Sequence, residues 1–326
     1  MKAIVYTEYG APDVLSLREV EKPVPGDGEV LVRVHATTVT ATDCIFRRGD
    51  RLFVRSFTGL LRPKNTTPGD VFAGVVEDAG KNVRAFTVGE AVYGTTYGGF
   101  GAHAEYLCVA EGGTLAPKPA NVSYGEAAAV CDGALTALPF LRDTGNIQPG
   151  QKVLIIGASG GIGTFAVQLA KHFGAEVTGV CSTGNVDLVK SLGADIVIDY
   201  LREDFTEQAG RYDLIFDTVG KAAFSRSKGA LKPNGVFLEA AFVPSTIVKS
   251  FWTSMFGKKK LKIAATGLRP ASERVKDLQF LKGLVEAGTL RTVVDRRYRF
   301  NEMVEAHRYV DTGHKKGNVV IELDVE

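Results

Sequence analysis

Residues 157–163 read Gly-Ala-Ser-Gly-Gly-Ile-Gly, and here the glycines set the chemistry. The apolar run KVLII precedes them and the segment IGTFAVQLAKHFG follows. A glycine turn between a strand and a helix lets the backbone approach a dinucleotide pyrophosphate. The helix beginning near Gly161 then points its amide dipoles at the phosphate. Ser159, Gly160, Gly161 and Ile162 line such a turn. A turn that is merely tight has the same composition, so the surrounding alternation of strand and helix signals is what favours phosphate binding. Two spacings fit: Gly157-x3-Gly161-x-Gly163 and Gly157-x2-Gly160-x2-Gly163.

The first spacing is that of short-chain dehydrogenases. Those enzymes carry the turn near the N-terminus and pair it with Tyr-x3-Lys, where lysine lowers the tyrosine pKa for acid–base work. Here the turn lies deep in the chain, and none of the ten tyrosines has a lysine four positions on. Tyr200 opens YLRED, Tyr298 opens YRFNE and Tyr309 opens YVDTG. The second spacing, that of medium-chain reductases, survives.

The end of the next strand separates NADPH from NADH. An acidic residue there binds ribose hydroxyls and repels a 2′-phosphate. This strand ends GVCSTGN, with Ser182 placed 19 residues after Gly163 and no acid before Asp187. Ser182, Thr183 and Asn185 are neutral hydrogen-bonding groups suited to a phosphate, so NADPH is expected. An ordinary turn and helix cap would use the same residues. Loop contacts to the cofactor are also expected where the fourth and fifth strands of this region end, at Val219 and at Ala241 and Phe242.

These residues need a scaffold. At 326 residues, the chain has room for about two domains. Its 45% hydrophobic content is that of a globular protein with a substantial core. A net charge of +2, from 39 basic and 37 acidic residues, makes no electrostatic case for nucleic acid. Cys44, Cys108, Cys131 and Cys181 are widely spaced, which argues against a disulfide framework or a four-cysteine zinc lobe. No apolar signal core or 18-residue apolar run occurs, so a cytoplasmic protein is expected and a membrane role is not.

Residues 1–122 read as β structure. KAIVYT, EVLVRVHATTV, DVFAGVVEDAG and EYLCVA are separated by Gly/Pro-rich connections, as in a barrel-like domain. At Ser123 the pattern becomes helical, with Ser123 and Glu126 at capping-box spacing. From KVLII onward strands and helices alternate through AEVTGVC, DIVIDY, YDLIFDTV, GVFLEA and KLKIAAT, which implies a doubly wound parallel sheet of about six strands. Helices SERVKDLQFLKGLVEAG and NEMVEAHRYVDTG and a last strand NVVIELD follow. The expected fold is α/β, with residues 1–123 and 268–326 in one discontinuous domain and 124–267 in the cofactor domain.

Over essentially its whole length the chain resembles the zinc-free quinone oxidoreductase branch of the medium-chain dehydrogenase/reductase superfamily. MKAIVYTEYGAPDVL, PGDVFAGVVEDAGKNVRAFTVGEAVYG, GGFGAHAEY, GALTAL, GASGGIG, LGADIVIDY, FDTVG and GNVVIEL carry the likeness. It implies a GroES-like β-barrel catalytic domain plus a Rossmann doubly wound parallel sheet domain. It also implies a homodimer formed through the KLKIAAT edge. Tyr200 matches a tyrosine beside the 2′-phosphate, although many relatives carry Lys or Arg where this chain has Gly184 or Asn185. Thr40 stands where relatives often have an asparagine near the nicotinamide; strand-end packing is the alternative. Asp43 reads as a cap rather than a base. Thr136 matches a cofactor contact. Asn318 is expected to reach the cofactor, and Tyr97 either lines the substrate cleft or sits on an exposed loop.

The zinc-ligand slots of related alcohol dehydrogenases fall on Thr40, Asp70 and either Asp132 or Cys131, a poor set for zinc. Without a metal, the chemistry left is hydride transfer to an electrophilic π-system, a quinone or an α,β-unsaturated carbonyl (an enone). A divergent alcohol dehydrogenase and a non-catalytic NADPH-binding sensor or structural protein are the alternatives. The histidines form no catalytic set and read as surface or packing residues. FWTSMFGKKKLKI reads as a cleft-lining or dimer-facing helix with solvated lysines, or as a membrane-surface helix.

Overall fold

The computed structural model describes residues 1–50, 52–98, 100–240 and 244–323. Two compact units emerge: Met1–Asp132 with Arg269–Ala287 and Thr292–Glu326, and Gly133–Leu268 with Gly288–Arg291. The helical stretch that begins after Ser123 thus stays with the first unit as far as Asp132. Its start is the capping box expected from the sequence, with Ser123 N and Oγ both donating to Glu126 and Glu126 N donating to Ser123 Oγ.

The first unit is built on a seven-stranded sheet. Its order is Val294–Arg299, Asn318–Glu322, Glu29–Val39, Val71–Ala79, Ala91–Thr95 and Thr114–Pro117, with Tyr106–Ala110 also pairing Glu29–Val39. The first pair is parallel and the other pairings are antiparallel. Alternate residues Val30, Val32 and Val34 enter the core beside Val76, Val92, Leu107 and Leu115, and Met303 and Val310 of the C-terminal helix close over them. Antiparallel pairing also gathers strand ends. Thr37 is opposite Phe72, Val71 opposite Thr95 and Val39 opposite Val319. Thr40, Asp70, Thr96 and Asn318 therefore share one end of the sheet.

The reading of residues 1–122 as wholly β needs correction. Ala41–Arg48 and Leu52–Thr58 are helices. The first starts on a Thr40–Asp43 capping box and stops at Gly49, whose φ of 54° closes the turn. Asp43, Cys44 and Arg47 are its buried residues, a helical spacing of three polar-capable side chains that an apolar-alternation search passes over.

The second unit is a six-stranded parallel sheet in the order Ile196–Asp199, Glu176–Cys181, Lys152–Ile156, Tyr212–Asp217, Leu231–Glu239 and Lys260–Lys262. This is the doubly wound arrangement in which strand order reverses beside the first strand. Leu154, Ile156, Val180, Ile198, Ile215, Phe237 and Leu261 pack its core. Register places Ile156, Val180, Asp217 and Glu239 level, with Cys181 opposite Asp199. The turns following these residues all emerge at one carboxyl edge. Lys260–Lys262 is an outer strand, preceded by the helix Pro244–Phe256, on which Ile247, Val248, Phe251, Trp252 and Met255 are exposed along one face.

Candidate cofactor and acceptor sites

In the second unit the glycine turn is shaped by close packing that leaves no room for side chains. Gly157 adopts φ 76°, and a Cβ there would meet Val219 Cγ1 at 2.6 Å and Thr218 Oγ1 at 2.9 Å. A Cβ on Gly163 would lie 2.0 Å from the carbonyl oxygen of Gly157, so only glycine lets the helix Gly161–His172 seat on the turn. Gly133 plays the same part from the other side, since a Cβ there would meet Gly161 O at 2.4 Å. It brings the helix Leu135–Pro139, which carries half-buried Thr136, onto the start of Gly161–His172. Gly160 caps that start without a side chain. The first amides of the helix have no intrahelical acceptor. A bare, cationic-ended helix start of this kind suits a pyrophosphate.

The second loop is joined to the first by one side chain. Asn185 Nδ2 donates to Ser159 Oγ and to Ser182 Oγ, 3.1 Å each, while its buried Oδ1 has no hydrogen-bond partner among the described residues. Both serine hydroxyls accept from Asn185 and keep their own protons for another acceptor. Thr183 is different. Its Oγ1 donates to Asp199 Oδ2 at 2.5 Å, which uses the hydroxyl proton. That bond and the Leu201 amide hold the Asp199 carboxyl below the usual carboxylate range. Tyr200 follows directly and is 58% exposed.

Asp217 organises the third loop. Fully buried at the end of Tyr212–Asp217, it accepts from the amides of Val219 (3.0 Å), Gly220 (2.9 Å) and Ala222 (2.8 Å). Burial nonetheless pushes its pKa up, outweighing those three bonds. Val219 is thereby presented outward, 44% exposed. Ala241 and Phe242 lie outside the described residues. The sequence reading missed Asp199 and Asp217 as loop organisers, although both close an apolar strand with an acid.

In the first unit, Thr40 N and Oγ1 donate to Asp43 Oδ2 at 2.8 and 2.7 Å, and Asp43 N donates to Thr40 Oγ1 at 3.1 Å. Asp43 is therefore the cap its position suggested. Burial raises its pKa to about 6 despite the Thr40 bonds, and the nearby Asp70 charge adds to the rise. Asp132 is also raised to about 6, again mainly by burial, against the lowering effect of Lys315. Lys315 itself is lowered by burial, with Asp132 and Asp295 opposing. Asp70 Oδ1 accepts from Thr96 Oγ1 and Gly98 N, 2.8 Å each, and so ties down the loop carrying Tyr97. Tyr97 sits at φ 48° with the Arg274 guanidinium 4.2 Å from its ring centre. It is half-buried, with the guanidinium over its ring. Asn318 is buried, and its Nδ2 donates to Val293 O at 3.2 Å.

Among the described residues no group of three or more His, Cys, Asp or Glu is placed to hold a metal ion. Thr40, which stands in the first zinc slot, gives its hydroxyl proton to Asp43. Behind them lies a polar core. His103 Nε2 faces Thr38 O at 3.1 Å, His307 Nδ1 faces Cys44 Sγ at 3.5 Å, and both rings are fully buried. Burial lowers His103 to about 4 and drives His307 far down as well. These two histidines pack the core.

Comparison with known proteins gives a consistent answer. Residues 26–120 match the family described as alcohol dehydrogenase GroES-like domain, and residues 192–321 match the one described as zinc-binding dehydrogenase. A tomato (Solanum lycopersicum) 2-methylene-furan-3-one reductase is 33% identical over 98% of this chain and 79% of its own. An Arabidopsis thaliana chloroplastic NADPH-dependent alkenal/one oxidoreductase is 31% identical over 98% and 79%. The solved quinone oxidoreductase of Coxiella burnetii superposes with a TM-score of 0.87 at 28% identity, covering 99% of each chain.

Proposed function

Because the chain belongs to the quinone oxidoreductase branch of the medium-chain dehydrogenase/reductase superfamily, we propose that it is an NADPH-dependent reductase of quinones or α,β-unsaturated carbonyls. The carrying observation is the glycine turn, where Gly157 and Gly163 leave no room for a Cβ and Gly160 leaves the helix start bare. The relatives' names supply the acceptor class and the reductant. NADPH, when bound, supplies the hydride.

The chain's own residues bind and orient. Ser159, Gly160, Gly161 and Ile162 would hold the pyrophosphate through amides and the Ser159 hydroxyl. Ser182, Asn185 and Tyr200 would line the adenosine ribose and its phosphate, with Thr183 beside them bonded to Asp199. Thr136, Val219, Ala241, Phe242 and Asn318 are proposed as the remaining cofactor contacts. On the acceptor side we assign Thr40 and Tyr97. The Thr40 hydroxyl touches a carboxyl that titrates near 6, so it can relay a proton from Asp43 toward a reduced oxygen.

The enzyme is proposed to work without zinc, since the zinc slots hold a threonine hydroxyl bonded to Asp43, Asp70 and either Asp132 or Cys131, a poor donor set for that metal. No described helix is long and apolar enough to cross a membrane. A cytoplasmic location is proposed from the sequence. The outer strand Lys260–Lys262 and the exposed apolar face of Pro244–Phe256 support a homodimer.

The test is NADPH oxidation, followed at its nicotinamide absorbance, with 1,4-benzoquinone and a simple enone as acceptors and metal chelator present. Turnover unaffected by chelation is expected. Tight NADPH binding without turnover across a panel of acceptors would replace the reductase by a binding protein.

A further inference from the structure

The expected 2′-phosphate subsite has an unbalanced charge. Ser182, Thr183 and Asn185 are neutral, and Gly184 and Asn185 bring no cation. Asp199 is an anion set into the same loop cluster, fixed there by Thr183 Oγ1 at 2.5 Å and held ionised by that bond. A phosphate placed on Thr183 would face this carboxylate. The Thr183 hydroxyl, having given its proton to Asp199, would offer only lone pairs. Binding needs a compensating positive charge within reach.

One is present. Arg202 Nε lies 3.5 Å from Asp199 Oδ2. The turn that follows Asp199 places it there, with Arg202 N donating to Asp199 O at 2.9 Å. The arginine side chain is 74% exposed, and its Nη atoms have no protein partner among the described residues. An exposed pair at this distance stabilises little and leaves the guanidinium fork free. With Nε beside Asp199 and most of the side chain open to solvent, the guanidinium is placed to offer its fork of N–H groups to a dianion.

We infer that Arg202 is the cation that recognises the ribose 2′-phosphate, with Asp199 as its positioning residue and Ser182, whose hydroxyl accepts from Asn185, keeping its proton for the same group. This rests on the NADPH reading above and makes it specific. Selectivity in this chain then comes from the loop after the third strand of the parallel sheet, not from a basic residue after the second.

The experiment measures binding rather than turnover. Wild type, Arg202→Gln and Arg202→Gln/Gly184→Lys are titrated with NADPH, NADH and 2′,5′-ADP by intrinsic fluorescence or calorimetry, at two salt concentrations. Gly184 suits the second change, because a Cβ there meets nothing within 4 Å. Loss of one charge-assisted contact should weaken NADPH and 2′,5′-ADP by about tenfold or more. It should leave NADH unchanged and flatten the salt dependence, and Gly184→Lys should recover much of the loss. Unchanged NADPH affinity in Arg202→Gln, with wild type still preferring NADPH, overturns the role of Arg202 alone. A wild type that binds NADH as tightly as NADPH and ignores 2′,5′-ADP overturns the NADPH reading as well. Equal loss of NADH and NADPH in Arg202→Gln would mean a general loop defect and would also overturn the assignment.

Discussion

The two units prepare their sites by different means. In the second, missing side chains do the shaping: Gly163 and Gly133 let main chain meet main chain, Gly157 makes room for the side chains of Thr218 and Val219, and buried Asp217 pins a loop through three amides. In the first, side chains do it. Thr40 and Asp43 cap each other, Asp70 ties the Tyr97 loop, and Asp43, Asp132, His103 and His307 sit where burial shifts their titration. The glycine turn tolerates almost no substitution, and its shape depends on no titrating group. The first unit's site instead rests on ionisable groups whose titration burial shifts in opposing directions.

The largest expected effect is at Gly163. Replacement by alanine puts a Cβ 2.0 Å from a backbone oxygen, so the helix or the turn must move. Overpacking of this kind costs about 3 kcal/mol. The same displacement at the pyrophosphate corresponds to about 100-fold in NADPH Kd. Calorimetric titration and a thermal melt check both. An alanine variant that binds normally would show that the turn has slack, and the contrast between the units would weaken.

Asp217→Ala should come next. It removes the acceptor of three amides in a partly buried loop. The expected cost is about 2–3 kcal/mol of stability, toward the upper end for unsatisfied buried donors. Weaker cofactor binding should follow through disorder at Val219. Asp217→Asn, which keeps one acceptor oxygen, should lose less. Urea unfolding curves with and without NADPH separate the two effects. Loss in both variants of binding alone, with stability intact, would recast Asp217 as a direct ligand contact.

These two positions also mark what the sequence made legible. The glycine spacing between an apolar strand and a helix is local information, so the turn and the alternating strands and helices around it were readable. Asp217 was visible only as a letter in FDTVG, since its partners are amides that exist once the loop folds. In the first unit, Thr40, Tyr97 and Asn318 were picked out by resemblance. What gathers Thr40, Asp70, Thr96 and Asn318 at one sheet end is the pairing of Val39 with Val319, Thr37 with Phe72 and Val71 with Thr95. Those partners are separated by tens to hundreds of positions and leave no periodic trace. Burial of His103 and His307 was unreadable for the same reason. The Ala41–Arg48 helix was missed because its inward face is Asp, Cys and Arg.

The pH response should sharpen the contrast. His103 has its folded pKa lowered to about 4 from 6.5, so its contribution to stability is present above pH 6.5 and is lost as pH falls toward 4. Asp43 and Asp132 have theirs raised from 3.8 to about 6. The native state keeps these protons while the unfolded chain releases them, so their contribution grows as pH falls through 6 toward 4. His307 sides with His103. The opposing terms should leave wild-type stability nearly flat across this window. His103→Gln should then gain stability relative to wild type as pH drops, by up to about 1.4 kcal/mol per pH unit for one proton. Asp132→Asn should change the slope in the opposite sense. Parallel curves for all three proteins would mean these groups titrate as they do in the unfolded chain.

Thr40 carries the smallest expected effect and the finest distinction. As a helix cap alone, its change to alanine costs about 1 kcal/mol and its change to serine much less. As a proton relay it should also shape the pH profile of turnover. Reduction of an enone or quinone needs a proton at the reduced oxygen, and Asp43 holds one until about pH 6. Turnover in wild type should therefore decline as pH rises through that value. In Thr40→Ala the declining limb should vanish, with a lower rate supported by water, while NADPH Kd stays constant. In Thr40→Ser the limb should remain. If alanine lowers only the melting temperature and leaves the limb in place, the hydroxyl is a cap and nothing more. The proton then comes from elsewhere, and the first unit contributes geometry without acid–base chemistry at this position.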